Sequence, residues 1–399
     1  MLKKNLCQIC KFKTTHILDL KDQPPANSLH KNKKKQIYFP LKLCFCKKCS
    51  LTQLTKFPDK NYLFKKYFWV TATSKTANNY AKKFYKNISY FLKKKSNVFE
   101  IASNDGTFLR EFKHNGHKVL GIDPAFNIAK KANLSKIKTI PKFFNYKISS
   151  EIKKKFKPDL IFARNVIPHV SELNSVVKGI SNLSSNNTIV AIEFHYAGEI
   201  LKDLQYDSIY HEHIYYFSIE SISKIFKNYK LYPFDIFFSP ISAGSIVLIF
   251  SKEKKKFTKT LVRSIKKEKL NKINKLSSWQ EFAKKVTLHK KEFRKKILKI
   301  YEKQGKLCAY GASARSSTLL NYTDLNNKYI DFIIDQNNLK NGFYTPGTNI
   351  LINNFSKIKN KIKNYKNLIL LAWNFEKEIK QFLRNNYYKG NIILPYKKK

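Results

Sequence analysis

Asn97-Val98-Phe99-Glu100-Ile101-Ala102-Ser103-Asn104-Asp105-Gly106-Thr107-Phe108-Leu109-Arg110-Glu111-Phe112 is the stretch on which the reading of the fold turns. A short apolar run enters a small-residue turn closed by Gly106, and Phe108, Leu109 and Phe112 then recur at helical spacing. A strand that passes into a helix through a glycine turn is the opening unit of a doubly wound α/β sheet. The glycine also lets a ligand approach the backbone closely. Downstream, Lys118-Val119-Leu120-Gly121-Ile122-Asp123 reads as a second strand, Asp159–Ala163 as a third and Thr188–Glu193 as a fourth, with helical stretches between them. That alternation predicts a parallel sheet.

The second strand ends in Asp123, seventeen residues after Gly106, where an acid can accept hydrogen bonds from ribose hydroxyls. The turn holds a single glycine and lacks G-x-G-x-x-G, which counts against NAD; a cofactor derived from methionine has no pyrophosphate to cradle and needs no such motif. A dinucleotide fold and a plain tight turn both stay open on this segment alone. The candidate cofactor contacts are Glu100, Ala102, Ser103, Asn104, Asp105, Gly106 and Asp123. Asn165 and Val166 join them, because Arg164–Val170 follows the third strand and would lie over the cofactor's reactive end.

Farther along, residues 251–305 are rich in lysine, yet Trp279, Phe282, Val286, Phe293, Ile297 and Ile300 keep helical spacing and predict an amphipathic helix that bridges two domains. A fresh α/β pattern then begins with Lys306–Gly311, Tyr329–Asp335 and Asn367–Trp373, enough for a second, smaller Rossmann-like sheet. The expected division is 1–65, 66–252 and 253–399.

Five of the six cysteines fall in the first fifty residues. Cys7-x-x-Cys10 and Cys46-x-x-Cys49 are two knuckles, and four thiolates suit tetrahedral Zn²⁺ in a closed, structural site. The 35 residues between the knuckles exceed a compact ribbon, so a small subdomain must bring them together. Cys44 competes for a place in the set; Cys46 is preferred because it completes the second knuckle. Incidental buried thiols and a DNA-binding finger are the alternatives.

Gln205–Ser218 gathers Tyr210, His211, Glu212, His213, Tyr215 and Tyr216. A carboxylate beside an imidazole can orient it and raise its basicity, which is a common acid–base arrangement. In an extended chain Tyr210 and Glu212 would share one face and His211 and His213 the other, whereas a turn would converge them. A metal site is a weaker reading, because the helical H-E-x-x-H spacing is absent. Ordinary buried polar packing is the remaining one.

The chain carries 78 basic and 27 acidic residues, a formal charge of +51. Only six of the basic residues are arginine, the side chain that nucleic-acid readers favour for bidentate contacts. The lysine surplus, alongside abundant Asn, Ile, Phe and Tyr, reads as the coding bias of an AT-rich genome on solvated faces, and no specific nucleic-acid partner is expected. A 43% hydrophobic share provides ample packed core. With neither a long apolar run nor a secretory leader at Met1–Cys7, the expectation is a cytoplasmic protein without a membrane span, monomeric or homodimeric.

Taken together, these motifs make the chain resemble the sugar C-methyltransferases, three-domain enzymes that methylate C-3 of nucleotide-linked 4-keto-deoxysugars. The match rests on Cys46–Leu54, Glu100–Gly106, Tyr210–His213 through Ser218, Tyr310–Arg315 with Thr318–Tyr322, Pro346-Gly347-Thr348 and Leu371–Asn374, in order along the chain. The resemblance implies a zinc-binding N-terminal domain, a class I Rossmann-like methyltransferase core that uses S-adenosylmethionine, and a C-terminal α/β domain that helps enclose a nucleotide-sugar substrate. It gives His213 the role of general base, with Tyr210 and Glu212 in support and Tyr67 near the substrate. Three positions depart from the family pattern: Ala102 stands where glycine is usual, Trp69 replaces a tyrosine, and Ile241–Ser245 replaces a His-Gly-Gly-Ser run. An O- or N-methyltransferase, an NAD-dependent sugar dehydrogenase using Gly311–Arg315, and a zinc-dependent nucleic-acid binder are the rival readings.

Overall fold

The computed structural model describes residues 6–32, 36–59, 63, 71 and 75–396, so Tyr67 and Trp69 lie outside the described residues. Three sheets organise the described residues.

The first begins with β1 (Thr15–Gln23), β2 (Phe39–Cys46) and β3 (Leu51–Leu54), antiparallel in that order. The Cys46–Cys49 knuckle forms the tight connection from β2 to β3, which sets its position through the hairpin register Cys46↔Leu51.

The second sheet contains β4 (Asn97–Ile101), β5 (Lys118–Ile122), β6 (Thr139–Ile140), β7 (Leu160–Arg164) and β8 (Ile189–His195), all parallel. After a short β9 (Tyr215–Tyr216), β10 (Tyr232–Ser239) and β11 (Ser245–Ser251) close it, in the order β10-β11-β8-β7-β4-β5-β6 with β11 antiparallel to both neighbours. β8 and β11 are buried along their whole length, as expected of strands covered on both faces. Val98, Leu160 and Phe162 pack on one side against Phe84, Phe108 and Phe112, while Phe99, Ile161 and Ile192 pack on the other. The winding reverses at β4, with β5 on one side and β7 on the other. A crevice opens at such a point, beyond the carboxyl ends of the two strands.

β9 leaves this sheet for the first one. It pairs antiparallel with β3 through Thr52↔Tyr216 and Gln53↔Tyr215, and Leu54 N donates to Ile214 O at 2.9 Å. The segment that follows His213 is thus the fourth strand of the cysteine-bearing sheet.

Two helices, Lys259–Leu270 and Leu276–Gln304, lead to the third sheet. The longer one buries Trp279, Phe282, Val286, Phe293 and Ile297, the stripe expected from spacing. These side chains join one cluster with Leu20 and Leu43 of the first sheet and Leu307, Ala309 and Ile333 of the third. β12 (Leu307–Tyr310), β13 (Ile330–Ile334), β14 (Leu351–Asn353), β15 (Asn367–Leu370) and β16 (Asn391–Ile393) are parallel, in the order β14-β13-β12-β15-β16. Here too the winding reverses, between β12 and β15. Among the described residues no helix is long and apolar enough to cross a membrane.

Candidate active site and metal centre

Both knuckles turn alike: Lys11 (φ 57°) follows Cys10 and Ser50 (φ 54°) follows Cys49, each a left-handed residue that bends the chain back after the second thiol. The four sulfurs of Cys7, Cys10, Cys46 and Cys49 lie within 4.8 Å of one another, with Cys10 Sγ and Cys46 Sγ 3.6 Å apart. A tetrahedron with Zn–S of about 2.3 Å sets its sulfurs about 3.8 Å apart, so this donor set fits zinc. Sharing protons among crowded thiols is unfavourable: S–H contacts from its neighbours hold the Cys46 thiol far below its ordinary value, to about 2, and the contact with Cys46 pushes Cys7 up to about 12. A dication resolves that conflict by binding all four as thiolates. Cys44 stands outside the group, its Sγ accepting from Gln53 Nε2 at 3.8 Å.

The crevice above β4 and β7 is a cavity of about 540 Å³. Glu100, Ala102, Ser103, Asn104, Asp123, Asn165 and Val166, the candidate cofactor contacts, are among the residues that line it. Asp105 and Gly106 shape the loop from behind. Asp105 Oδ1 accepts from Thr107 N at 3.2 Å and Thr107 Oγ1 at 2.7 Å, and Gly106 sits at φ 76° where a Cβ would strike Ile137. Ala102 takes φ 54°, a left-handed conformation that a glycine would occupy without strain, yet the cavity remains open beside its methyl.

Asp123 is anchored by Asn104 N to Oδ2 and Ala125 N to Oδ1, both at 2.9 Å, which leaves lone pairs on each oxygen for a diol. Burial raises the carboxyls of Asp123 and, much further, Glu100, whose Oε2 is buried without a hydrogen-bond partner. Asp105, Asp123 and Glu193 add to the upward push on Glu100, against the pull of Arg164. In so basic a chain, a knot of acids around a cavity is a place for a cation. The ribose hydroxyls of S-adenosylmethionine offer donors to such acids, and its ammonium and sulfonium offer positive charge.

The other end of the cavity holds the Tyr-His-Glu-His segment. A turn closed by His213 N to Tyr210 O (2.9 Å) brings Tyr210 and His213 together, with Tyr210 Oη 2.7 Å from His213 Nε2. His213 Nδ1 lies 2.8 Å from Ser208 O. A carbonyl only accepts, so Nδ1 carries the proton and Nε2 is the bare nitrogen that accepts from the phenol. Burial holds His213 well below the usual imidazole range, and the neighbouring His169, whose ring centroid is 4.7 Å away, adds to the effect.

Glu212 is placed elsewhere. Its Oε1 accepts from Asn27 Nδ2 at 2.9 Å, across 185 positions, and it does not line the cavity. His211 reaches Phe39 O at 3.2 Å, a tie to the first sheet. The structure therefore brings Tyr210 and His213 together and turns the two residues between them toward the N-terminal sheet.

Further ionisable groups stand at the cavity, Arg164 and His169 among them within the 164–170 segment that the sequence had placed over the cofactor's reactive end. Arg164 stacks on Phe108 and donates to Glu193 Oε2 at 2.8 Å, and Glu193 also takes Ser239 Oγ at 2.8 Å. His169, His195 and Arg315 line the cavity as well. Glu193 stands behind Arg164 rather than in the lining. Sequence reasoning missed it and His195, although an acid near the end of the fourth core strand was a signal, whereas Arg315 lay in the Tyr310–Arg315 stretch of the family match without a role of its own. From the third sheet, Ser313, Ala314, Ala372, Asn374 and Phe375 also reach the cavity, so both winding reversals face one space.

Comparison with known proteins agrees with this layout. Residues 7–64 match a family model described as "Putative zinc binding domain", 75–233 a "Methyltransferase domain", and 240–395 a "C-methyltransferase C-terminal domain". The chain is 28% identical over 368 residues to the C-methyltransferase NovU of Streptomyces niveus, covering 90% of this chain and 86% of that one. Solved structures with a likeness include the PH0226 protein of Pyrococcus horikoshii, 14% identical, with a TM-score of 0.37 over 49% of this chain and 100% of that one. Another is the magnesium protoporphyrin IX methyltransferase of Synechocystis, 11% identical, TM-score 0.33, covering 44% and 78%.

The chain is an S-adenosylmethionine-dependent methyltransferase with a zinc-binding N-terminal part. Within that class it is a C-methyltransferase, its three matched parts following one another in this order.

Proposed function

We propose that the enzyme methylates C-3 of a nucleotide-linked 4-keto-deoxysugar through an enolate, with His213 as the base. The observation that carries this reading is the fixed tautomer: Nδ1–H is held by Ser208 O, so the bare Nε2 is the nitrogen offered to the cavity beside Tyr210 Oη. A ketone at C-4 acidifies the C-3 proton, and a neutral imidazole can take it. With its titration held low by burial, His213 is neutral across the physiological range. Tyr210, relieved of its contact with Nε2 when that nitrogen is engaged, can donate to the developing enolate oxygen. Bound S-adenosylmethionine supplies the electrophilic methyl group; Asp123 would receive its ribose hydroxyls and Glu100 would face its cationic end. Glu212, tied to Asn27, supports the turn that carries the pair. Cysteines that serve as metal thiolates and are not joined in disulfides suit a reducing, cytoplasmic setting.

The test is exchange of the C-3 proton in D₂O with S-adenosylhomocysteine present. Wild type should exchange, and His213→Asn should lose both exchange and turnover by roughly a hundred- to ten-thousandfold while still binding S-adenosylhomocysteine. Turnover without any C-3 exchange would point to a hydroxyl or amine acceptor instead.

A further inference from the structure

The tautomer of His213 depends on where Ser208 O points, and that carbonyl belongs to a short helical turn, Tyr206–Ser208, in the stretch 205–209. The stretch is held largely from outside its own domain. Asp207 accepts from Arg315 Nη2 at 2.8 Å, Arg315 Nε at 3.2 Å and Trp373 Nε1 at 2.7 Å. Gln205 Oε1 takes Arg315 Nη2 at 2.9 Å, and Ile209 O takes Thr318 Oγ1 at 2.8 Å. Arg315 and Thr318 sit in the helix Ala314–Tyr322 that follows β12, and Trp373 just past β15, on the two sides of the winding reversal of the third sheet. Asp207 and Thr318 are each only 1% exposed, so the bonds are made away from water, where leaving one unmade is costly. Trp373 and Arg315 also stack, 4.8 Å apart, so the two strand ends act on Asp207 as one unit.

We infer that Asp207, Thr318 and Arg315 form a cross-domain latch that positions the active-site imidazole: the C-terminal domain holds 205–209 so that Ser208 O keeps the proton on Nδ1 of His213. This rests on the base role proposed above. The latch residues act through Ser208 and are positioning residues. Their loss would let the carbonyl rotate, and the imidazole would then sample the other tautomer, with its proton on the nitrogen that faces the cavity. Displacements of about 1 Å at reacting atoms can lower rates by about a hundredfold.

The experiment reads the tautomer directly. Wild type, Asp207→Asn and Thr318→Val are prepared with ¹⁵N-histidine and saturated with S-adenosylhomocysteine; the His213 ring signals among nine histidines are assigned by their absence in His213→Asn. Long-range ¹H–¹⁵N spectra should show wild type with its proton on Nδ1, and both variants with a mixture. In turnover, kcat should fall about ten- to a hundredfold, with the apparent KM for S-adenosylmethionine within about twofold of wild type. The near-isosteric Thr318→Val keeps the measurement available if Asp207→Asn does not fold. A wild-type tautomer in a folded variant would overturn the latch. Normal turnover of His213→Asn would instead overturn the base role, and the ring spectra of the latch variants would still decide whether 205–209 is held from the C-terminal domain.

Discussion

The core sheet and the C-terminal sheet solve the same local problem in the same way and then part. In the core, Asp123 follows β5, its Oδ2 accepting from Asn104 N of the neighbouring loop and its Oδ1 from Ala125 N two residues on. In the C-terminal sheet Asp335 follows β13, with Oδ2 accepting from Ala312 N at 3.0 Å and Oδ1 from Asn337 N at 2.9 Å. The difference is Lys340. Its Nζ lies 3.0 Å from Asp335 Oδ2 and donates to Ala312 O at 2.7 Å, occupying an oxygen whose counterpart on Asp123 has no cation among the described residues. One acid is left open to a ligand and the other is neutralised from within. A Rossmann-like strand order does not by itself make a nucleotide site, and the ion pair on Asp335 is the feature by which the two acids differ. The same contrast weighs against a dehydrogenase built on Gly311–Arg315.

The sharpest way to break this comparison is to remove both acids in turn. Asp123→Ala should weaken S-adenosylhomocysteine by about a hundredfold by titration calorimetry, the loss of two hydrogen bonds to a charged acceptor. Asp335→Ala should leave that affinity within about twofold. Equal losses would erase the distinction.

A pH series sharpens it further. Burial raises Glu100, so its carboxylate is fully formed only above the ordinary carboxyl range, while a bound cation favours the ionised form. Affinity for S-adenosylmethionine should therefore strengthen as pH rises through the Glu100 titration, by up to about tenfold per pH unit, and Glu100→Gln should flatten that slope.

Smaller effects follow. Lys340→Met should lower stability to urea by about 1 kcal/mol without changing cofactor affinity, as expected for a partly exposed ion pair. Ala102→Gly should shift stability by less than about 1 kcal/mol, because relief of the left-handed alanine is offset by a freer unfolded chain. A large gain in affinity would show that the alanine methyl crowds the ligand after all.

The contrast between Asp123 and Asp335 also shows what the sequence could and could not reveal. Strand β4 spans the residues that its apolar run marks, and β5, β7, β12 and β13 fall within a residue of their patterns, because buried parallel strands announce themselves as continuous apolar stretches. β6 has two residues and no pattern to read. The helix Lys259–Leu270 was hidden under lysine, with Leu261 and Glu268 its buried residues. In the site, the cofactor loop was legible because its chemistry is local. The meeting of Tyr210 with His213 needed a turn that no periodicity encodes, and the contacts of Glu212 with Asn27 and of Asp207 with Arg315 join residues more than a hundred positions apart. Lys340 is one lysine among many; only its place five residues beyond Asp335 gives it meaning.

The strand exchange between β3 and β9 bears on synthesis. Leu51–Leu54 leaves the ribosome early, but Tyr215–Tyr216, the strand that covers its open edge, emerges some 160 residues later. Until then the young cysteine-bearing sheet presents unpaired amides to its surroundings, the kind of edge that recruits stray strands. Metal capture can fold the hairpin early, but only arrival of the half-built core can seal it, so quality control of the nascent chain must bridge that interval.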